Sequence, residues 1–262
     1  MLACGWNATA YQILNPGIAH WFPAADDAVV GYVLRRGVRI VAGAPICAEA
    51  RLPEVADEFA ADAARAGARV CYFGAESRLE EVCRNDARYA RVLLGAQPVW
   101  EPGGWPALVA GRAVIRAQLS RARNKQVTVT RWPAGRATGN PELARCLAEW
   151  LATRGLPPLH FLVEPVTLAL LDDRRVFVAT RQGRVMAYLV ASPVPARAGW
   201  LIEQIVRGHD APNGTAELLV DAAMRAACED GSAYATLGMV PLSSRAEVTA
   251  TGNPAWLRSL LV

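Results

Sequence analysis

Lysine is almost absent from this chain: Lys125 is its single lysine, so nearly all of the 28 basic residues are arginines. Long apolar runs are absent too. No stretch approaches the roughly 18 residues that a membrane-spanning helix needs, and the opening Met1-Leu-Ala-Cys-Gly5 has no cationic segment leading into an apolar one. An integral membrane span is therefore not expected. The chain reads as cytoplasmic, with a peripheral place at the inner membrane face as the variant its charge allows. Histidine is scarce (His20, His160 and His209), and the six cysteines at positions 4, 47, 71, 83, 146 and 228 form no C-x-x-C pair. Zinc motifs depend on such spacing, so the cysteines are expected as reduced core thiols, and neither a metal nor another cofactor is expected.

What the sequence does contain is a globular composition, 53% hydrophobic and 20% charged over 262 residues. That excludes a disordered chain and suffices for one large domain or two of about 130 residues. The net charge of +4 is modest but concentrated: Arg112, Arg116, Arg121, Arg123, Lys125, Arg131 and Arg136 follow one another with no carboxylate between them. Such a cluster suits a polyanion, RNA or an anionic lipid surface; a solvated face in an arginine-rich protein has the same composition. On a helix spanning 110–125, Arg112, Arg116 and Arg123 share one face, Arg121 and Lys125 lie roughly opposite, and Ile115, Leu119 and Ala122 form a narrow apolar stripe.

Periodicity and turn residues predict the order of elements. A hairpin, 28–35 and 38–42 around Arg36-Gly37, leads through Gly43-Ala-Pro-Ile46 into a helix over 52–66 with Pro53 in its first turn. A strand at 69–74, a short helix at about 77–85 and a strand running to Pro98 follow. Later come a helix over 142–154 after Asn140-Pro141, a hairpin around Gln182-Gly183, a strand over 200–207, a loop with Pro212-Asn-Gly214, a helix to Asp230 and a strand over 234–237. The order recurs, and Gly67-Ala-Arg-Val-Cys-Tyr-Phe-Gly74 echoes Gly231-Ser-Ala-Tyr-Ala-Thr-Leu-Gly238. The expectation is an α/β (α+β) fold of two related units with mixed, largely antiparallel sheets, 1–109 and 110–262, joined by the 110–125 helix. On the long helix, Glu217, Asp221, Arg225 and Glu229 form the stripe expected to face water. Two loops, after 207 and after 237, would face one cleft at the strand ends.

Hairpin, strand, loop, helix, strand is the order of the GNAT acyltransferase core. Gln204-Ile-Val-Arg207, Asp210-Ala-Pro-Asn-Gly214 with Glu217, Thr236-Leu-Gly-Met-Val-Pro-Leu-Ser243, Gly43-Ala-Pro-Ile46 and Arg116-Ala-Gln-Leu-Ser-Arg-Ala-Arg123 resemble, in combination, the motifs of the phosphatidylglycerol lysyltransferase C-terminal domain family. The resemblance implies a tandem GNAT-like fold that moves an aminoacyl group from aminoacyl-tRNA to a hydroxyl or amine, on phosphatidylglycerol in the membrane-bound members and otherwise on a lipid or small molecule. Many relatives carry aspartate where Gln204 stands, with Glu203 beside it on the opposite strand face. The family pattern also continues beyond the helix expected at 254–262, so a fragment or an incomplete site is expected.

An aminoacyl ester is already activated, so such an enzyme needs alignment, oxyanion stabilisation and a proton acceptor rather than ATP or a metal. Arg207 is the candidate for the oxyanion or a phosphate, with an ion pair to Asp210 as its structural alternative. Asp210, Glu217 and Glu203 are the candidate bases. Gln204, Asn213, Gly214, Gly238, Pro241 and Ser243 are candidate substrate contacts, Asn213 also as a helix cap. Arg112, Arg116, Arg121, Arg123 and Lys125 are candidate tRNA contacts. Ser243 has no evident His–Asp partner, which argues against a hydrolase triad. Two other classes remain open: an acyl-CoA N-acyltransferase, although its pyrophosphate loop would need a different glycine spacing, and a non-catalytic RNA- or membrane-binding relative.

Overall fold

The structure is a computed structural model, and it describes residues 3–155, 160–241 and 243. Its first sheet has the order β1-β2-β3-β4, formed by β1 (Ala19–Trp21), β2 (Val30–Arg35), β3 (Val38–Ala42) and β4 (Arg69–Phe73). Arg36 and Gly37 both have positive φ (49° and 72°), the backbone that closes a two-residue hairpin between twisted strands. Helix α1 (Leu52–Arg65) carries the chain across to β4, which lies parallel to β3. Its buried side, Leu52, Val55, Ala56, Phe59 and Ala63, sits at helical spacing, and the first four pack with Val30 and Val41 of the sheet.

After α2 (Ser77–Cys83), the strand expected to run to Pro98 is two short pieces, β5 (Gly95–Ala96) and β6 (Val99–Trp100). The expected helix over 110–125 is also two: α3 (Trp105–Gly111) and α4 (Ala113–Asn124), parted by Arg112 in an extended conformation (φ −113°, ψ 97°). The second sheet follows, with β7 (Thr128–Trp132), the short α5 (Ala134–Ala137), α6 (Pro141–Ala152), β8 (Arg175–Arg181), β9 (Arg184–Val194), β10 (Gly199–Arg207), α7 (Thr215–Glu229) and β11 (Tyr234–Thr236). Its order is β6-β11-β10-β9-β8-β7, and β12 (Val240–Pro241) pairs with β5. The second sheet thus recruits Val99–Trp100, and its core recruits Trp105 and Val109, from before residue 110.

The internal repeat is visible in the topology, with one shift from the sequence expectation. β2-β3-α1-β4 and β9-β10-α7-β11 share one path: an antiparallel pair, a crossover helix and a strand parallel to the second member. The stretches 67–74 and 231–238 therefore correspond. The Gln182-Gly183 turn does not correspond to Arg36-Gly37, because it joins β8 to β9, one hairpin earlier.

Two cores cover the second sheet. α3, α4 and α7 enclose Leu119, Phe177, Leu189, Ile202, Leu219 and Met224 on one face; α6 encloses Leu143, Cys146, Tyr188 and Val206 on the other. Asp221, expected on the wet stripe of α7, is 2% exposed. α3 and α4 lie over it, and its carboxylate accepts from Trp105 Nε1 (3.0 Å), Arg225 Nε (3.0 Å) and Arg123 (3.2 Å). The halves meet around Trp6, whose ring lies between the guanidinium groups of Arg78 and Arg197. Glu76 holds this junction by accepting from Arg197 (2.6 Å) and from the Ala8 N–H (2.7 Å). No helix among the described residues is long and apolar enough to cross a membrane. The helix expected over 254–262 lies outside the described residues.

Candidate active site

The second sheet opens where the first stays closed. β3 and β4 pair along all five residues, and the chain beyond β3 stays attached through the Gly43 N–H to Phe73 O (2.9 Å). β10 pairs with β11 only from Gly199 to Leu201, then runs on to Arg207 bonded to β9 alone. Beyond it, the Gly208 N–H donates to Met186 O on β9 (2.9 Å), on the side away from β11. β11 stops at Thr236, whose hydroxyl donates to Pro98 O and accepts the Gly238 N–H. A wedge is left between 202–207 and the segment after 237, at the strand ends where open sheets bind ligands.

At the apex of this wedge, where the two strands part, β10 carries a bulge. Ile202 pairs with Ala191 and Gln204 with Val190, so Glu203 is the extra residue. Bulges re-aim side chains and take backbone groups out of the ladder. Ile202 and Ile205 consequently both face the α7 core, and Glu203 and Gln204 lie side by side on the other face, not on opposite faces as strict alternation predicts.

Both side chains are anchored there. Glu203, its side chain 3% exposed, takes a two-point contact from Arg174, Nε to Oε2 and a terminal nitrogen to Oε1, each 3.0 Å. It also accepts from the Ser192 hydroxyl and from Gln12 Nε2 (3.3 Å). Arg174 donates further to Asn15 Oδ1 (3.1 Å) and Leu170 O (2.8 Å), and its guanidinium lies over the Tyr11 ring. Gln204 accepts from Thr167 Oγ1 (2.7 Å) and donates to Pro165 O (2.9 Å). The segment 160–171 therefore lies across the bulge, fastened at Pro165 and Thr167 by Gln204 and at Leu162 O by Gln12 (2.9 Å). Near its start, the buried Glu164 accepts the Val166 N–H (3.0 Å) and holds His160 Nδ1 (2.9 Å).

The loop after β10 is occupied by its own chain. Arg207 is exposed and donates to Ala211 O (3.2 Å), so it shapes the loop and makes no pair with Asp210. Asp210 instead meets His209 Nδ1 (3.3 Å) and Arg184 (3.2 Å), and the His209 hydrogen bond, with Arg184 behind it, holds its carboxyl below the usual range. Glu149 of α6 accepts the His209 N–H (3.0 Å), and that bond, with the ion pair to Arg145, lowers its carboxyl too. Gly214 has φ 91°, and a Cβ there would stand 2.2 Å from the Gln118 carbonyl oxygen: its task is close packing of α7 on α4. It also occupies the cap position of α7, and no side chain caps the helix there, so Asn213, which is exposed, is not the cap. Thr215 Oγ1 donates to Pro212 O (2.6 Å). Glu217 is exposed in the first turn, where a carboxylate complements the helix dipole.

The other candidates are dispersed. Gly238 (φ 79°) turns the chain out of β11, Pro241 lies in β12 against Gly95, and Ser243 is half-buried. Of the cations, Arg123 is held by Asp221 and Arg116 by the carbonyls of Val109 and Ala110 at the end of α3. Among the described residues Arg121 reaches only Gln118 (3.2 Å), while Arg112 and Lys125 flank α4 and are exposed. Sequence reasoning did not identify Arg174, Thr167, Ser192, Glu149, Gln12 or the His160–Glu164 pair. The run Asp172-Asp173-Arg174-Arg175 before β8 was the visible signal for the first of these. A separate small groove lies in the first half, lined by Cys4, Trp6, Pro45, Cys47 and Arg78, and shares no residue with the wedge. No group of three or more His, Cys, Asp or Glu able to hold a metal occurs among the described residues.

The sequence pattern of the family described as phosphatidylglycerol lysyltransferase, C-terminal, matches residues 5–261. Among solved structures, the chain is similar to the C-terminal domain of a putative lysylphosphatidylglycerol synthetase from Agrobacterium fabrum, with a TM-score of 0.80, 21% identity, and 91% of this chain and 75% of that one covered. It is similar to L-PGS from Bacillus licheniformis, with a TM-score of 0.83, 19% identity, and 98% and 78% covered. FemX follows the same fold more distantly, at a TM-score of 0.60, 8% identity, and 97% and 90% covered. No curated protein matches the chain.

Proposed function

The chain belongs to the phosphatidylglycerol lysyltransferase C-terminal domain family, a family of acyl and aminoacyl transferases with a GNAT-like fold, and from that premise we propose that it moves an aminoacyl group from aminoacyl-tRNA to a hydroxyl or amine acceptor in the wedge beside Glu203 and Gln204. The observation that carries this reading is the divergence of β10 from β11 at a bulge. The ester carbonyl lies in the wedge, a backbone N–H freed at the bulge serves as an oxyanion donor, and Gln204 holds one wall in place. Gly238, Pro241 and Ser243 line the opposite approach, and Asn213 lies at the loop. Arg207 supports the loop that closes the end.

The acyl-CoA alternative is disfavoured by the same loop. A pyrophosphate needs successive free amides and no negative charge, whereas here Glu149 occupies the His209 N–H and Asp210 adds a second carboxylate. The RNA enters over α4, where Arg112, Arg121 and Lys125 supply the phosphate contacts; Arg116 and Arg123 serve the fold. The acceptor is an anionic lipid met at the inner membrane face or a small cytoplasmic molecule. We assign 1–109 and 110–262 as the two GNAT-like units, with Val99–Trp100 crossing to the second sheet.

The test is transfer of label from a pool of radiolabelled aminoacyl-tRNAs into anionic liposomes or into a small-molecule extract, with acetyl-CoA consumption followed in parallel. Label in either acceptor phase supports the reading and names the phase; consumption of acetyl-CoA alone refutes it. Silence with every donor leaves the non-catalytic relative. The RNA surface is tested separately: changing Arg112, Arg121 and Lys125 together to Gln lowers the slope of log affinity against log salt by about 2 to 3, at about 0.7–0.9 per phosphate contact. An unchanged slope removes RNA from this face.

A further inference from the structure

We propose that His160, oriented by Glu164, is the proton acceptor of the transfer. This rests on the function proposed above. It answers a question the site leaves open, because none of the carboxylates singled out in the sequence is suited to the task. Glu203 is buried in a two-point contact with Arg174, Asp210 is exposed and held by His209 and Arg184, and Glu217 lies outside on the first turn of α7.

The His160–Glu164 pair has the arrangement a general base requires: a ring nitrogen free to act and a carboxylate fixing the other. The Glu164 side chain is 4% exposed. Both its oxygens are used, one by the Val166 N–H and one by His160 Nδ1. A carboxylate so placed accepts the proton on Nδ1 and leaves the lone pair on Nε2. The imidazole is 71% exposed, and Nε2 has no hydrogen bond among the described residues. The segment that carries the pair is the one Gln204 fastens to the bulge, through Pro165 O and Thr167 Oγ1 immediately after Glu164. Its position is thus referred to the strand that forms the wedge wall. Beside this segment, Arg174 is paired with Glu203 and Asp173 accepts from the Tyr11 hydroxyl (3.2 Å), while Asp172 is exposed.

The step balances without a further reactant. The acceptor oxygen or nitrogen bonds to the aminoacyl carbonyl carbon as its proton passes to His160 Nε2. The tetrahedral centre then collapses, the bond to the ribose oxygen of the tRNA breaks, and the proton moves from Nε2 to that oxygen, which leaves as a hydroxyl.

A purely structural histidine would serve only to donate to the buried Glu164, and one variant separates the two roles. H160Q retains an amide N–H for Glu164 but has no basic nitrogen. The transfer assay on the full chain is run with wild type, H160Q and H160A, with melting temperatures taken alongside. H160Q is expected to melt with wild type and to lose at least about 100-fold in kcat, the lower bound for a general base, with KM for aminoacyl-tRNA unchanged. H160A is expected to regain part of its rate with added imidazole, and the acidic limb of the pH–rate profile is expected to disappear in both variants. H160Q turning over within about threefold of wild type, with the acidic limb intact, overturns the assignment. Wild-type protein that consumes no aminoacyl-tRNA overturns the assignment and the proposed function together; active wild type with active H160Q overturns the assignment alone.

Discussion

Removing Glu203 tests whether this carboxylate is a structural anchor or the reaction's base. Its side chain is 3% exposed and that of Arg174 is 1% exposed, so the two charges meet away from water in a two-point contact. Taking away one member leaves the other buried and uncompensated, at a cost of about 3–5 kcal/mol. In E203L, Arg174 keeps neutral acceptors at Asn15 Oδ1 and Leu170 O, which places the expected loss toward the lower end. At about 2–4 °C per kcal/mol for a chain of this size, the melting temperature falls by roughly 6–12 °C. Replacing both, as R174M with E203L, fills the space with apolar groups and recovers most of the loss, because desolvation offsets much of what a buried pair contributes. Thermal denaturation followed by circular dichroism measures all three proteins. If E203L melts within about 2 °C of wild type, or the double variant melts no higher than the single, Glu203 is not held as described. Transfer by the double variant at near wild-type rate would exclude Glu203 as the base outright.

Two further outcomes follow from the loop between β10 and α7. G214A is expected to destabilise the protein strongly, because the new Cβ both adopts φ 91° and stands 2.2 Å from the Gln118 carbonyl oxygen. The left-handed backbone alone costs about 1–2 kcal/mol, and urea unfolding that finds less than this would show that α4 gives way freely. Asp210 and Glu149 have carboxyls held below the usual range in the folded chain, by the His209 ring and by the His209 N–H respectively, each with an arginine behind. Depressed folded values mean that their contribution is complete above the ordinary carboxylate value near 4 and is lost as pH falls through the folded values. Carbon-13 titration of the two carboxyls should give midpoints below the ordinary value of each residue type and loosening of the 208–214 amides over the same range; midpoints at or above the ordinary values would contradict the contacts.

Much of the fold was legible because its signals are local. A two-residue turn, a proline at a helix start and apolar spacing along α1 each depend on a few neighbours, and the repeat of 67–74 in 231–238 survives because both stretches leave a crossover helix and enter a parallel strand. The bulge was missed, because strict alternation put Glu203 and Gln204 on opposite faces, although it left a signal. Ile202-Glu203-Gln204-Ile205 breaks the two-residue alternation with adjacent polar residues, which is how a doubled position looks in sequence. The partners were not legible. Arg174 lies 29 residues from Glu203, and Asp221 lies 98 from Arg123. No periodicity relates such pairs; only the course of the chain through space brings them together. Asp221 fits an exposed helical stripe until α3 and α4 are placed over it, and Gly214 resembles a phosphate-loop glycine until the helix it touches is known.

The two sheets share one path, and the difference between them explains why both are needed. In the first, β3 holds β4 to its end and the chain beyond remains bonded to β4, so no wedge forms. That half instead supplies side chains to the other: Gln12 of the turn at Ala10–Leu14, and Asn15 just after it, reach Glu203 and Arg174 at the bulge and the carbonyls of Leu162 and Phe161 in the segment that covers it. A bulged strand with a buried ion pair facing outward could not persist on an isolated sheet, since each charge would need water or a partner. The first half provides those partners and excludes the water. It thereby fixes the covering segment, by the carbonyls of Phe161 and Leu162, against the bulge. The repeat has diverged, with one sheet parting beyond Leu201 and the other paired along the full length of β4.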